Sequence, residues 1–278
     1  MHIILQVVLI AFVAGAVGTL LGGVLGIIVK KPTKSYIGYM LGFAAGAMLA
    51  VAIFELLDEA VEHGDYLFPG GGIVAVVVGL ALGALFIFLL EPKKHNKTRN
   101  DELMDKTVNT DGLPSLLDKE QQERKKDQRK FKRLGIAVFI AIILHDFPEG
   151  LAIGVGAHTE AGIRAALVFG AVLLLHNIPE GLAIAVPLKA SGMKTKKILG
   201  ICFAAGLPTV LGAIIGYYMG YADWLLAFTF AFAAGVMLYV VLTEMLPTAY
   251  EYAKNKKLLS VFILLGAVIL IVFATLLH

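Results

Sequence analysis

"LHDFPEGLAIGV" occupies residues 144–155, and "LHNIPEGLAIAV" follows at residues 175–186. Each block sets an imidazole, a carboxylate and a second oxygen donor inside an aliphatic run, and each breaks that run with proline. Ionisable side chains at bilayer depth are costly and mark function by default. The meaning of the two blocks therefore depends on whether the runs around them cross a membrane.

Composition says that they do. The chain of 278 residues is 58% hydrophobic and 16% charged, and its mean hydropathy is +0.82. Soluble domains lie near 45–50% apolar and about 25% charged. A helical span needs about 20 mostly apolar residues. Eight runs qualify, at 3–29, 36–60, 70–90, 134–157, 162–188, 198–220, 224–248 and 258–277. The first is too long for the apolar region of a signal peptide and no basic segment precedes it, so it reads as a retained span. The single cysteine, Cys202, lies in an apolar run and reads as core packing, with no intrachain disulfide to form.

The basic residues set the sidedness. Lys30, Lys31 and Lys34 follow span one, thirteen Lys and Arg lie between Lys93 and Arg133, four lysines follow span five, and three follow span seven. With eight spans all of these fall on one side, and only Arg164 falls on the other. The positive-inside rule makes the rich side cytoplasmic and puts both termini outside. Adding or dropping one span would scramble that segregation. The outer loops carry Asp58, Glu59, Glu62, Asp65, Glu160 and Asp223 against Arg164 alone. An acidic mouth raises the local cation concentration, and ordinary loop solvation explains the same residues equally well.

The expected organisation is spans one to three over 1–91, a polar cytoplasmic loop over 92–130, spans four and five over 131–188, and spans six to eight over 189–278. The 92–130 segment is too polar to build a packed core and is expected to be flexible at first. From Ser115, "SLLDKEQQERKKDQRKFKR" offers a cap and helix-forming residues leading into span four. His95 is the one histidine of that segment, which argues against a histidine-rich metal buffer.

Two internal repeats organise the rest. "FAAGAMLAVAIFELLDEA" (43–60) matches "FAAGVMLYVVLTEMLPTA" (232–249) at 10 of 18 positions, with Met48 against Met237 and Glu55 against Glu244. The first copy runs outward in span two and the second inward in span seven. Spans four and five are likewise an inverted pair, carrying the two opening blocks. The chain thus reads as three spans, a central inverted pair, and three spans inverted from the first three. Inverted repeats with a site at mid-bilayer characterise secondary transporters.

His145 and Glu149 are four residues apart, about 40° around a helix, and share a face flanked by Asp146. Span five repeats this with His176, Asn177 and Glu180. Imidazole with carboxylate suits first-row divalent metals such as Zn²⁺, Fe²⁺ or Mn²⁺, and a bridging carboxylate could hold two ions. Pro148 and Pro179 free the carbonyls of Leu144 and Leu175 from the helical ladder. In a bilayer such a carbonyl needs a partner or a water-lined cavity. Gly150 and Gly181 thin the helices for close approach. A buried structural histidine or a proton relay competes with the metal reading. The doubled pattern and the near absence of basic partners within the spans favour the metal.

The paired blocks "HDFPEG" and "HNIPEG", in adjacent spans of an eight-span chain with both ends outside, resemble the ZIP (Zrt/Irt-like) family of divalent metal transporters. "FAAGAML" and "FAAGVMLYVVLTEMLP" look like its bacterial, GufA-type members. The resemblance implies a 3+2+3 arrangement of eight transmembrane helices in an all-α polytopic membrane protein of the cell membrane, no enzymatic activity, and uptake of zinc or another divalent ion, with iron, manganese or cadmium tolerated. It implies a mid-membrane centre, often of two ions, built from His145, Asp146 and Glu149 with His176, Asn177 and Glu180. A span-two methionine of some relatives corresponds to Met48, for which plain core packing is an equal reading. Many bacterial relatives have a span-six glutamate, in a pattern like "GLAEPLG". Here the segment reads "AGLPTVLG", with Thr209 in that place, so the second ion position is expected to be weakened or altered. Glu55 and Glu244 are the nearest spare carboxylates.

The expected partners are divalent ions and the lipid bilayer, with no nucleic acid. The family leaves a homodimer open. The glycines of "GAIIGYYMG" (212–220) recur every four residues and are read first as an intramolecular helix contact. An intramembrane metallohydrolase and a metal-selective channel are the other classes considered. The zinc-protease pattern H-E-x-x-H is absent.

Overall fold

The computed structural model describes residues 2–30, 32–90, 116–157, 162–219 and 223–277, and none of these is in a β-strand. Among the described residues, eight helices are long and apolar enough to cross a membrane, as the eight runs predict. They are α1 (Ile3–Ile27), α2 (Lys34–Asp65), α3 (Gly71–Leu90), α4 (Leu116–Gly156), α5 (Ile163–Ala190), α6 (Thr195–Met219), α7 (Asp223–Tyr252) and α8 (Lys256–Leu277). The polar segment expected at 92–130 lies outside the described residues up to 115. From Leu116 onward it is helix, continuous with span four. At 41 residues α4 is about 60 Å long, twice the hydrocarbon thickness.

Local chemistry sets the helix ends. The Thr33 hydroxyl accepts from the Tyr36 amide at 3.2 Å and starts α2, and Asn255 caps α8 through the Leu258 amide at 3.1 Å. After α5 the Gly192 amide donates to the Lys189 carbonyl and the Met193 amide to that of Leu188. That pairing needs a left-handed residue, supplied by Gly192 at φ +83°.

Two groups of four helices emerge. In one, α1 packs on α5, α5 on α4, and α4 on α6; in the other, α7 packs on α3 and α8 on α2. Contacts of α2 with α5 and of α4 with α7 join the groups. The helices α3 and α8 are the least buried, and their exposed Leu, Ile, Val and Phe side chains suit lipid.

Glycine approaches make the two sets of pairings equivalent. A Cβ on Gly181 would stand 2.0 Å from the Thr19 carbonyl oxygen of α1, and one on Gly150 would stand 2.0 Å from that of Thr209 on α6. Reciprocally, Gly22 meets the Ile178 carbonyl and Gly212 that of Phe147. These partners come from "TLLGGVLG" (19–26) and "TVLGAIIG" (209–216), a span-one/span-six repeat that the sequence reading overlooked. Gly212 and Gly216 pack within the chain, against α4, while Gly220 lies outside the described residues.

Among the described residues, three wide π turns interrupt the regular helices: Val13–Val17 in α1, Ala52–Leu56 in α2 and Val241–Met245 in α7. The last two occupy matching positions of the 43–60/232–249 repeat and carry Glu55 and Glu244. Such turns re-aim side chains and frequently occur at functional sites.

Side-chain clusters tie the helices together at both ends. At the lysine-rich end the Tyr252 hydroxyl donates to Asp127 at 2.8 Å, Lys34 pairs with Asp127, Lys130 with Glu251, and Arg133 with Glu244 at 3.6 Å. At the other end His63 Nδ1 lies 2.7 Å from Asp223 Oδ1, joining α2 to α7, and Glu59 stands 3.5 Å from the same ring. Of the acids assigned to an outer mouth, Glu160 lies outside the described residues.

Candidate metal centre

The two opening blocks meet inside the first helix group. His145, Asp146, Glu149, His176, Asn177 and Glu180 are all within 1% of complete burial. Pro148 and Pro179 leave α4 and α5 unbroken as helices. The glycine contacts bring α6 and α1 against the outer flanks of the blocks. The four-residue spacing puts each histidine and glutamate on one helix face, and the contact of α4 with α5 turns the two faces together.

The ligand-type atoms converge across the two helices. His145 Nε2 is 2.6 Å from Glu180 Oε1 and 3.3 Å from Asp146 Oδ1. His176 Nε2 is 3.2 Å from Glu149 Oε1 and 3.8 Å from Glu180 Oε1. Two triads, His145/His176/Glu180 and His145/Asp146/Glu149, each place one ligand atom per residue within 4.8 Å of the others. His145 belongs to both, so the triads share a wall.

The electrostatics are unfavourable as they stand. Three carboxylates, Asp146, Glu149 and Glu180, sit at full burial, and their ion-pair partners among the described residues are the two histidines alone. Burying charge without full pairing costs several kcal/mol per ion even after relaxation. Both Glu149 oxygens, both His176 nitrogens, Asp146 Oδ1, Asn177 Oδ1 and Glu180 Oε2 lack a hydrogen-bond partner. Native proteins pair the large majority of such atoms. Unpartnered carboxylate oxygens beside two imidazoles whose ligand atoms lie within 4.8 Å of one another are what a divalent cation requires.

The surrounding hydrogen bonds orient the set. A carbonyl can only accept, so His145 Nδ1 donates to Ala141 O at 3.0 Å and leaves Nε2 facing the cluster. Fixing the tautomer from outside in this way is the usual support of a metal-binding histidine. Asn177 Nδ2 donates to Ala14 O at 2.9 Å. The Thr209 hydroxyl donates to Asp146 Oδ2 at 3.3 Å, so the span-six position singled out in the sequence does face the blocks.

Met48 is buried in the main apolar core, among residues of α2 and its neighbours. Glu55 of α2 stands beside a proposed ligand: its Oε2 lies 3.8 Å from His176 Nδ1, and its Oε1 is another orphan. Glu55 also lines a crevice with Phe54, Leu175 and Ile271, between α2, α5 and α8. Its repeat mate Glu244 pairs with Arg133.

Known proteins match this chain throughout. The family description "ZIP Zinc transporter" fits residues 90–274. A "Zinc transporter ZupT" of Clostridium perfringens is 32% identical over 271 residues, covering 92% of this chain and 90% of that protein. The protein of the same name from Chlorobium phaeovibrioides is 33% identical, covering 91% of each chain, and that of Streptococcus mutans is 31% identical, covering 84% of each. With its eight apolar helices, its paired His/Glu blocks and relatives matched over almost their whole length, the chain is a multi-pass membrane protein that belongs to the ZIP zinc transporter family.

Proposed function

We propose that this protein carries zinc, with iron, manganese and cadmium as tolerated alternatives, across the cell membrane into the cytoplasm by alternating access. Membership of a transporter family makes it a carrier of divalent metal and not an enzyme. The observation that carries the reading is the group of orphaned, fully buried ligand atoms on α4 and α5, facing one another with no lysine or arginine among their described partners. In this reading His145, Asp146, Glu149, His176, Asn177 and Glu180 bind the ion, and Glu180, near both histidines, bridges two ion positions. Met48 remains a candidate ligand from α2, and Glu55 stands beside His176. A divalent ion would take the place of whatever proton His145 and Glu180 share across 2.6 Å.

The sidedness and the moving parts follow from charge and packing. The lysine-rich ends, including the α4 extension, face the cytoplasm, and both termini face out. The matched glycine contacts of α1/α5 with α6/α4 support a 3+2+3 inverted repeat. The division into two helix groups, joined at α2/α5 and α4/α7, supports a shift of α1, α4, α5 and α6 against the rest. Ions gathered by the acidic outer residues would lose water at the His/Asp/Asn/Glu centre and leave on the cytoplasmic side. The domain division of 1–91, 92–130, 131–188 and 189–278 is part of the same proposal, with helix already formed from Leu116.

Uptake of radiolabelled Zn²⁺ by proteoliposomes tests the reading. It should saturate with concentration and collapse in His145→Ala and Glu180→Ala. Flux that never saturates would identify a channel. Zinc binding without any transported ion would end the carrier reading.

A further inference from the structure

The two blocks differ at one ligand position, Asp146 against Asn177, and the structure gives that difference a cause outside the blocks. Asn177 Nδ2 donates to the backbone carbonyl of Ala14 at 2.9 Å. Ala14 lies in the π turn Val13–Val17 of α1, and both partners are buried. A carbonyl accepts and never donates, so position 177 must bring a donor. Asn meets that demand and still turns its own oxygen away, where Asn177 Oδ1 is left as a buried orphan. An ionised Asp in its place would set a carboxylate oxygen against a carbonyl oxygen in a medium of low dielectric.

At position 146 the polarity is reversed. The Thr209 hydroxyl of α6 donates to Asp146 Oδ2 at 3.3 Å. That site demands an acceptor, which either Asp or Asn supplies. Thr19, the α1 counterpart of Thr209, does not reproduce this contact. Its hydroxyl donates down its own helix to Gly15 O at 2.9 Å. The two flanking helices, matched in their glycines, therefore present opposite polarity to matched positions of the blocks.

We propose that the α1 π turn is a positioning element of the metal centre: the Ala14 carbonyl requires an amide rather than a carboxylate at position 177 and aims the Asn177 oxygen at the ion, while the Thr209 hydroxyl holds Asp146. The inference rests on the metal-centre reading and adds to it that the charge of the centre is set by α1 and α6. The consequence is directional. Charge can be removed at position 146 without violating the local polarity, but it cannot be moved to position 177. Misaligning one ligand from outside the coordination sphere typically costs about 10–100-fold in affinity.

The test compares Asn177→Asp, Asp146→Asn and the charge-conserving double exchange of both, in the full-length purified protein. Melting temperature without metal and zinc affinity well below melting are read for each. Asn177→Asp should melt lower than wild type, whereas Asp146→Asn should not. The folded Asn177→Asp protein should bind Zn²⁺ about tenfold or more weakly, although Asp is the stronger intrinsic ligand. The double exchange should behave like Asn177→Asp. A merely structural role would lower the melting temperature and leave the affinity of the folded protein unchanged. That result would overturn the proposal, as would wild-type affinity in the double exchange. Absence of zinc binding by the wild type would overturn the metal-centre reading instead. In that case equal metal-free melting of Asn177→Asp and wild type would dispose of the Ala14 contact as well.

Discussion

His145 Nε2 on α4 and Glu180 Oε1 on α5 are 2.6 Å apart, the closest approach between the two blocks among the described ion pairs that involve them. Glu180 also stands 3.8 Å from His176 of its own helix. One carboxylate thus faces both imidazoles. Glu180→Gln keeps the shape and removes the charge. Its zinc affinity should fall by more than about 100-fold, beyond what outer-shell changes usually cost. Thermal melting with and without Zn²⁺ checks this. Wild type gains about 2.7 kcal/mol at an ion concentration 100 times its Kd, and the variant should gain less than about 0.4 kcal/mol at that concentration. An equal zinc-dependent shift in the variant would remove Glu180 from the ligand set.

Glu55 is expected to act on delivery of the ion more than on its binding at the centre. It reaches His176 from α2, in the opposite helix group, through a π turn, and it lines the crevice toward α8. Glu55→Gln should raise the KM for zinc uptake several-fold and change the maximal rate less. The concentration dependence of uptake separates the two. An unchanged KM with a lost maximal rate would place Glu55 in the conformational step.

Close helix crossings make Gly181 and Gly150 intolerant of a methyl group. Each Cβ would meet a carbonyl oxygen at 2.0 Å, on Thr19 and Thr209 respectively. Gly181→Ala and Gly150→Ala should each destabilise the folded protein by at least the ~1–3 kcal/mol typical of overpacking. Gly200 has nothing within 4 Å of a built Cβ and serves as the control. Gly200→Ala should be neutral or stabilising, by up to about 1 kcal/mol from helix propensity. Melting in detergent gives all three.

What could be read from the sequence was whatever repeats or segregates. Eight spans followed from where Lys30, Lys189 and Lys254 fall, and the six block residues from a pattern written twice. The α1/α6 relationship was harder to see. It rests on Thr19/Thr209 and a few glycines among aliphatic residues that any two spans share. The π turns leave no compositional trace, because one extra residue per turn changes no residue type. Without the turn at Ala52–Leu56, nothing marks Glu55 as a neighbour of His176. The Ala14–Asn177 contact was out of reach for a related reason: its acceptor is backbone, which carries no letter.

Thr209→Glu tests whether α6 completes a second ion position. Thr209 is fully buried and its hydroxyl reaches Asp146 at 3.3 Å. A Cβ on Gly15 would come within 2.6 Å of that hydroxyl, so the pocket is tight on the α1 side. A glutamate there exchanges a donor for a second carboxylate facing Asp146. Without metal the two like charges should repel and the variant should melt below wild type. A divalent ion between them would reverse the sign of that interaction, so zinc should raise the variant's melting temperature more than it raises that of wild type. Metal analysis after equilibrium dialysis should then rise from one ion per chain to two. A variant that melts lower and still binds one ion would show that α6 packs against the centre without contributing to it.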